Sequence, residues 1–268
     1  MESHLVGLDL DGTVVDYDDA LHEPVRDAIR AAEAAGHHIV IATGRAVSGA
    51  LDVANRLDLT DGFVVCSNGS VTVRLNPAAE RGWEVFHVES FDPGPALERM
   101  AAVLPTALFM VEDTDLVRWA SSDFPEGDLA AGAHLRVVPF DELKGKRATR
   151  IVMRELNGTS EEFEKSVERI GLHGVTYSVG WSNWLDISPD GVSKASALAR
   201  VAQSLEIPRA RTLAVGDGSN DAEMLEWAGA GIAMGQARDS LKAIADAVTG
   251  TVDDDGLATV LSERLQLG

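Results

Sequence analysis

Short apolar runs separated by amphipathic segments fill the first part of the chain. The runs are Leu5-Val6-Gly7-Leu8, His38-Ile39-Val40-Ile41-Ala42 and Phe63-Val64-Val65-Cys66, and each predicts a buried strand. Helical spacing of apolar residues predicts one helix between Pro24 and Gly36 and another from about Ser48 to Leu57. Strands that alternate with helices in this way predict an α/β fold with a doubly wound parallel sheet.

The pattern changes after Asn68, where strands become frequent and helices few. It predicts a hairpin from residues 71–73 and 83–86, helices near 93–103 and 160–170, and strands near 106–111, 116–119, 135–138, 149–153, 175–179 and 184–187. This composition indicates a separate α+β unit inserted into the first domain. We predict that residues 1–85 and 185–268 form the core domain and residues 86–184 the inserted domain.

Alternation of helices and strands resumes after Pro189. A helix is predicted from Val192 to Leu205, with Lys194 in its first turn. The apolar run Arg211-Thr212-Leu213-Ala214-Val215 predicts a further buried strand, and Gly216-Asp217-Gly218-Ser219-Asn220-Asp221 follows it directly. The chain therefore returns to the sheet of the core domain.

Polar residues that could take part in catalysis or metal binding follow three of the predicted core strands. Asp9 and Asp11 end the first strand, Thr43 ends the second, and Asp217 and Asp221 follow the last. Carboxyl ends of parallel strands meet at one edge of a sheet, which is where such folds bind ligands. Carboxylates with no cysteine or histidine beside them suit Mg²⁺ better than zinc, and bound Mg²⁺ commonly contacts a substrate phosphate. The pattern therefore indicates a magnesium site that handles a phosphate ester.

Each of these residues also has a simpler interpretation. Asp-Gly is common in solvated turns, Thr43-Gly44 is a possible strand stop, and Lys194 is a possible exposed lysine in a first helical turn. A calcium-binding EF-hand is excluded because Gly12 stands fourth from Asp9 rather than sixth. It is the combination of the strand-end residues that favours a catalytic site.

Composition restricts the partners of the protein. The 43 acidic and 23 basic residues give a formal net charge of −20, which repels nucleic acid and anionic membranes. Cys66 is the only cysteine, so no disulfide can form within the chain. With no signal-peptide pattern at the amino terminus, we expect a cytoplasmic protein that acts on a small molecule, without nucleic-acid or membrane partners. The oligomeric state cannot be read from the sequence.

The sequence lacks motif residues that three other classes of enzyme require. Gly191-Val192-Ser193-Lys194-Ala195 lacks the second glycine of a serine hydrolase nucleophile elbow, and no histidine follows Ser193. A dinucleotide-binding Gly-x-Gly-x-x-Gly motif would need glycine where Asp221 stands. The phosphate-binding loop of nucleoside triphosphatases does not occur in the sequence.

Four ordered segments together resemble the motifs of the haloacid dehalogenase-like hydrolase superfamily. They are Asp9-Leu10-Asp11-Gly12-Thr13, Thr43-Gly44-Arg45, Gly191-Val192-Ser193-Lys194 and Gly216-Asp217-Gly218-Ser219-Asn220-Asp221. The last motif and the size of the inserted domain resemble the Cof-like branch of sugar phosphatases. The resemblance covers nearly the whole chain and implies a Rossmann-like core, an inserted α/β cap that closes over the site, and a phosphatase activity on a small phosphate monoester.

The resemblance also implies a role for each motif residue. Asp9 is expected to be the nucleophile that forms an aspartyl-phosphate, and Asp11 the acid and base that serves the leaving group and then water. Mg²⁺ is expected at Asp9, the backbone carbonyl of Asp11, Asp217 and, through water, Asp221. The expected phosphate-binding residues are Thr43, Gly44, Lys194 and Asn220.

Several assignments remain open at this point. Arg45 is expected either to meet the substrate or the cap or to form a salt bridge, and Asn68-Gly69 is interpreted as an ordinary turn. Trp181 and Asn183 are candidate substrate contacts of the cap. A phosphomutase with the same nucleophile and a non-catalytic protein that binds metal or phosphate are the alternatives to a phosphatase.

Overall fold

The chain divides into two units, and the second is inserted into the sequence of the first. A computed structural model describes residues 2–125, 135–179 and 183–267. Met1–His87 and Ser193–Gly268 form the first unit, and Val88–Val192 forms the second. Strands and helices are numbered below in chain order.

The first unit is built on an eight-stranded sheet with helices beside it. Its strands are β1 Leu5–Leu8, β2 His38–Ala42, β3 Gly62–Cys66, β4 Val71–Leu75, β5 Trp83–Val88, β12 Thr212–Gly216, β13 Ala230–Ala233 and β14 Ala247–Val248. Its helices are α1 Glu23–Ala34, α2 Val47–Arg56, α6 Lys194–Ser204, α7 Ala222–Trp227, α8 Asp239–Lys242 and α9 Gly256–Leu265.

The strand order of this sheet confirms the predicted α/β fold. The order is β14-β13-β12-β1-β2-β3-β4-β5, and the six strands from β14 to β3 are parallel to their neighbours. β4 turns back antiparallel to β3. All four residues of β1 are buried, as expected for a central strand covered on both faces. β1 therefore brings the residue after Leu8 to the middle of the sheet edge.

Helix packing against this sheet follows from the sequence pattern. In α1, Pro24 lies in the first turn, and Val25, Ile29 and Ala32 are the buried residues of one face. α1 packs against α9 and β2, whereas α6 packs against α7 and β3. Leu198 and Val201 of α6 enter a buried apolar cluster with residues of β1, β2, β3 and β12. Packing of this apolar face fixes the position of α6 and of Lys194 at its start.

The described residues of the second unit form a six-stranded sheet and three helices. Its strands are β6 Leu108–Asp113, β7 Arg118–Ala120, β8 Leu135–Val137, β9 Ala148–Arg154, β10 Val175–Val179 and β11 Trp184–Pro189, in the order β10-β11-β9-β6-β7-β8. Its helices are α3 Gly94–Val103, α4 Phe140–Lys144 and α5 Ser160–Ile170. α5 begins at a capping box between Thr159 and Glu162 and is followed by Gly171 in the left-handed conformation. α3 packs against α5 and α4.

The position of β11 corrects one predicted boundary. We assigned residues from 185 onward to the core domain, but β11 pairs antiparallel with β9 and β10 in the second sheet. Its apolar pattern identified a strand correctly, yet such a pattern does not tell which sheet the strand joins. The chain re-enters the first unit at Ser193.

A transmembrane helix is not found in the described part of the chain. Each helix there is too short or too polar to cross a bilayer.

Candidate active site

Three neighbouring strands bring the predicted site residues to one edge of the first sheet. Leu8 at the end of β1 lies opposite Ile41 of β2 and Val215 of β12. Asp9, Thr43 and Asp217 each follow directly after one of these strands. The backbone N–H of Asp9 also donates to the carbonyl of Val215 at 3.0 Å. The edge predicted from the sequence is therefore assembled as expected.

Lys194 is the buried centre of the site. It is fully buried at the start of α6, which Ser193 caps through a reciprocal hydrogen-bond pair with Ser196. Its Nζ donates to Asp9 Oδ1 at 2.6 Å and to Asp221 Oδ1 at 2.7 Å. Burial alone would lower the pKa of Lys194, but the charges of Asp221 and Asp9 outweigh it and raise the pKa above its ordinary value. Lys194 is thus a permanent cation between two carboxylates.

Three carboxylates surround this single cation. Oxygen atoms of Asp9, Asp217 and Asp221 lie within 4.8 Å of one another, and all three residues are buried. Burial, followed by repulsion from Asp221, raises the pKa of Asp9, and burial is also the largest cause of the raised pKa of Asp217. One ammonium group cannot neutralise three carboxylates, so the site has an excess of buried negative charge.

The donor set fits a hard divalent cation. All three side chains offer only carboxylate oxygens, which Mg²⁺ prefers over nitrogen and sulfur ligands. Burial and, after it, repulsion from Asp221 raise the pKa of Asp9 and Asp217, and a divalent charge would oppose both effects by favouring the ionised carboxylates. The cluster could therefore hold a metal ion.

Asp221 organises the loop that carries Asp217. Its Oδ2 accepts hydrogen bonds from the backbone N–H groups of Asp217 at 3.0 Å and Gly218 at 2.9 Å, while its Oδ1 accepts from Lys194. Both carboxylate oxygens of Asp221 thus have protein partners. This arrangement leaves Asp9 and Asp217 as the side chains better placed for direct contact with a metal.

Asp11 lies apart from this cluster. Asp9 and Asp11 stand only two residues apart in the sequence, but the Asp11 side chain is half exposed and pairs with Arg45. Arg45 donates from Nε and Nη2 to Asp11, at 2.5 Å in the shortest contact, and from Nη2 to Asp19 at 2.7 Å. The turn after β1 redirects Asp11, and the guanidinium group holds it there. Arg45 therefore forms the salt bridge that was one of its two expected roles.

Thr43 and Asn220 lie beside Asn68. Thr43 is fully buried and its Oγ1 accepts from the backbone N–H of Arg45 at 3.0 Å. Asn220 Nδ2 donates to Asn68 Oδ1 at 2.9 Å, and both side chains approach Gly44. Asn68, which we interpreted as part of an ordinary turn, is thus a neighbour of the predicted phosphate-binding residues.

The Asn68 loop is fixed by its contact with the start of α6. Gly69 has a φ of 104°, and a Cβ there would overlap the carbonyl oxygen of Ser193. The backbone N–H of Asn68 also donates to the carbonyl of Thr43 at 3.0 Å. The position of Asn68 after β3, at the same edge as Thr43, is the sequence signal that could have identified it.

Tyr17 and Gln236 contact the site although the sequence analysis did not select them. Tyr17 Oη donates to Asp217 Oδ2 at 2.5 Å, and Gln236 Nε2 lies 3.5 Å from the same oxygen. Burial, and then the bond to Asp217, raises the pKa of Tyr17, so its hydroxyl keeps its proton. Gln236 follows β13, the strand next to β12, and this position could have marked it as a site residue. Tyr17 lies in an acidic loop, where no sequence pattern marks it as a site residue.

Of the two candidate substrate residues of the second unit, the structure describes Asn183 but not Trp181. Trp181 lies outside the described residues. Asn183 is buried with a φ of 54°, and its Nδ2 donates to the carbonyl of Gly158 at 3.3 Å. Its own carbonyl accepts from the N–H of Glu155 at 3.0 Å. Asn183 thus takes part in turns of its own unit.

Comparison with known proteins identifies the family of the chain. The family model of the haloacid dehalogenase-like hydrolases matches residues 6–261. YkrA of Bacillus subtilis is 30% identical over 273 residues, which cover 98% of each chain. The 5-amino-6-(5-phospho-D-ribitylamino)uracil phosphatase YitU of the same organism is 26% identical over 98% of each chain. A solved haloacid dehalogenase-like hydrolase from B. subtilis superimposes with a TM-score of 0.80 at 26% identity, covering 97% of this chain and 99% of that one. The chain therefore belongs to the haloacid dehalogenase-like hydrolases, in their Cof-like branch, and is a phosphatase.

Proposed function

We propose that the protein is a Mg²⁺-dependent phosphatase that hydrolyses a small phosphate monoester through an aspartyl-phosphate on Asp9. The observation that carries this proposal is the buried Lys194, whose Nζ lies 2.6 Å from Asp9 Oδ1 and 2.7 Å from Asp221 Oδ1. A nucleophilic carboxylate that approaches a phosphate dianion must overcome charge repulsion. A fixed cation on the nucleophile reduces that repulsion.

In the first step, Asp9 attacks phosphorus. Lys194 binds Oδ1, so Oδ2 forms the bond to phosphorus while the bond from phosphorus to the leaving oxygen breaks. Two of the three N–H donors of Lys194 are occupied by Asp9 and Asp221, and the third is available to a phosphoryl oxygen. Lys194 thereby stabilises the charge that develops between nucleophile and phosphorus.

Asp11 handles the protons of both steps. It gives a proton to the leaving oxygen in the first step and takes one from the water that attacks the aspartyl-phosphate in the second, which releases phosphate and restores Asp9. In the structure both of its oxygens face Arg45. Arg45 must therefore release one oxygen of Asp11 before the proton can move.

Thr43, Gly44 and Asn220 hold the phosphoryl oxygens. The Thr43 hydroxyl already accepts the N–H of Arg45, so its own O–H remains a donor. The Asn220 amide, placed by Asn68, offers a second donor beside Gly44. These neutral donors bind any phosphate monoester, and they leave the choice of leaving group to other residues.

Asp9, Asp217 and Asp11, through its backbone carbonyl, would hold Mg²⁺, and Asp221 would reach it through water. When bound, the ion supplies positive charge to the carboxylates and to the phosphoryl oxygens. The closeness of the carboxylates supports this assignment, because oxygen atoms of Asp9, Asp217 and Asp221 lie within 4.8 Å of one another and a divalent cation would favour the ionised form of these buried groups.

We propose a sugar phosphate or a related metabolite as the substrate. The relative YitU, named for a phosphate ester of a ribityl chain, supports this class of leaving group. A panel of sugar phosphates, 5-amino-6-(5-phospho-D-ribitylamino)uracil and a small aryl phosphate would be assayed for inorganic phosphate, with Mg²⁺ and with EDTA. Turnover that needs Mg²⁺ and is greatest on a sugar-type ester is the expected result.

Two variants make the assay decisive. Asp9→Asn keeps the shape of the nucleophile but removes its charge, and we expect it to abolish phosphate release. Asp27→Asn, at an exposed carboxylate of α1, is the matched control and should keep full activity. Net phosphate transfer between sugars without release would indicate a phosphomutase instead. Substantial turnover by Asp9→Asn, in protein free of other phosphatases, would refute the assignment of the nucleophile.

A further inference from the structure

Tyr17 combines an exposed ring with a buried contact. Its side chain lies in the loop after β1 and is 57% exposed, yet its hydroxyl reaches the buried carboxylate of Asp217 at 2.5 Å. Gly12 makes this approach possible, because its φ of 83° and its missing Cβ leave room for both Asp217 Oδ2 and the Tyr17 ring. The contact is therefore built into the turn that follows the nucleophile.

Gln236 supports the same oxygen from another direction. Its Nε2 lies 3.5 Å from Asp217 Oδ2 and donates to the Gly12 carbonyl at 2.6 Å. Its Oε1 accepts the N–H of Val252 at 3.1 Å, so the amide is fixed at both ends. Oδ2 thus faces two donors, and Oδ1 accepts a hydrogen bond from none of the residues that the structure describes.

The asymmetry between the two oxygens matters for metal binding. Hydrogen-bond donors that hold one oxygen of a carboxylate orient the group so that the other oxygen is the one presented to a cation. Mg²⁺ requires a small octahedral site with single-oxygen ligands, whereas Ca²⁺ accepts more ligands at longer distances and commonly takes both oxygens of a carboxylate. Fixing Oδ2 therefore favours the smaller ion.

We propose that Tyr17 is a positioning residue that holds Asp217 as a one-oxygen ligand and so makes the site select Mg²⁺ over Ca²⁺. This inference rests on the proposed metal-dependent function. Tyr17 acts through Asp217 and touches neither the metal nor the phosphate in this role. Loss of its hydroxyl frees Oδ2, which lets the carboxylate rotate and bind a larger ion with both oxygens.

Calorimetric titration with Mg²⁺ and with Ca²⁺, in the absence of any substrate, tests the proposal. The variant is Tyr17→Phe, which keeps the ring beside Gly12 and removes only the hydroxyl. The matched control is Tyr177→Phe, which changes the other of the two tyrosines of the chain, an exposed residue of β10. Thermal unfolding in EDTA shows that each variant is folded.

We expect Tyr17→Phe to raise the Kd for Mg²⁺ by about tenfold, the usual effect of removing a hydrogen-bond partner of a metal ligand. The Kd for Ca²⁺ should rise less, so the preference for Mg²⁺ falls, and Tyr177→Phe should leave both constants unchanged. An unchanged Kd for Mg²⁺, or an equal rise for both ions, would overturn the role of Tyr17 alone. Failure of the unmodified protein to bind Mg²⁺ would instead overturn the proposed metal dependence and this inference with it.

Discussion

Replacing Lys194 by methionine keeps the length of the side chain but removes the cation that pairs with both Asp9 and Asp221. The two ion pairs, at 2.6 and 2.7 Å, each correspond to about 6 kcal/mol of attraction at an effective dielectric constant of about 20. The variant no longer has to desolvate the ammonium group, and this offsets part of the loss. Breaking a buried pair from one side costs about 3–5 kcal/mol, and we expect the free energy of unfolding to fall by this amount.

Urea-induced unfolding in EDTA, followed by circular dichroism, measures this loss. The matched control is Arg30→Met, which breaks an ion pair of 3.0 Å with Asp58 in the same unit, where both side chains are more than half exposed. That change should cost less than about 1 kcal/mol because water screens the pair. Added Mg²⁺ should restore part of the stability of Lys194→Met, since a divalent cation compensates the same carboxylates. If the two variants lose the same small amount, burial does not strengthen the Lys194 pairs and the reasoning is wrong.

Three further predictions address proton transfer, metal use and pH. Asp11→Asn should lower kcat most on alkyl phosphates and less on an activated aryl phosphate, whose leaving group needs no proton; equal losses would contradict its role. Asp217→Ala should raise the Mg²⁺ concentration needed for half-maximal activity, and EDTA should abolish turnover of the unmodified protein; an EDTA-resistant rate would exclude the metal. The hydrogen bond that the His22 ring donates to the carboxylate of Asp255 raises the pKa of His22 above its ordinary 6.5, so His22 stabilises the fold at low pH and loses this effect as pH rises through the raised pKa. The stability difference between the unmodified protein and His22→Gln should therefore shrink at high pH, and a difference that grows would contradict this sign.

Much of the fold and of the site could be predicted because each depends on local sequence. Asp9, Thr43 and Asp217 were identifiable as polar residues that end apolar runs, and the topology of a parallel sheet brings such residues together. Lys194 was identifiable from its place in a first helical turn within an ordered set of motifs. Its burial depends on how α6 packs, which the local pattern does not contain.

The remaining features depend on which residues meet across the fold. From the sequence, the Asp11 side chain could either share a metal with Asp9 or form a salt bridge with a basic side chain. The position of Arg45 in the fold, which the sequence does not give, determines that it forms the salt bridge. Tyr17 reaches Asp217 across a sequence separation of 200 residues, so no local signal connects them. The strand β11 was recognised, but the choice of its sheet depends on pairing with β9 and β10.

The strand order of the first sheet also determines when that sheet can be completed during synthesis of the chain. β1 pairs with β2 early, but its other neighbour, β12, is translated only after the entire second unit. Until then the apolar strand β1 has an open edge, and such edges pair readily with other chains. Lys194, Asp217 and Asp221 leave the ribosome equally late, so Asp9 stays without its partners through most of translation. The nascent chain is therefore the form of this protein in which the edge of β1 is open to pairing with other chains.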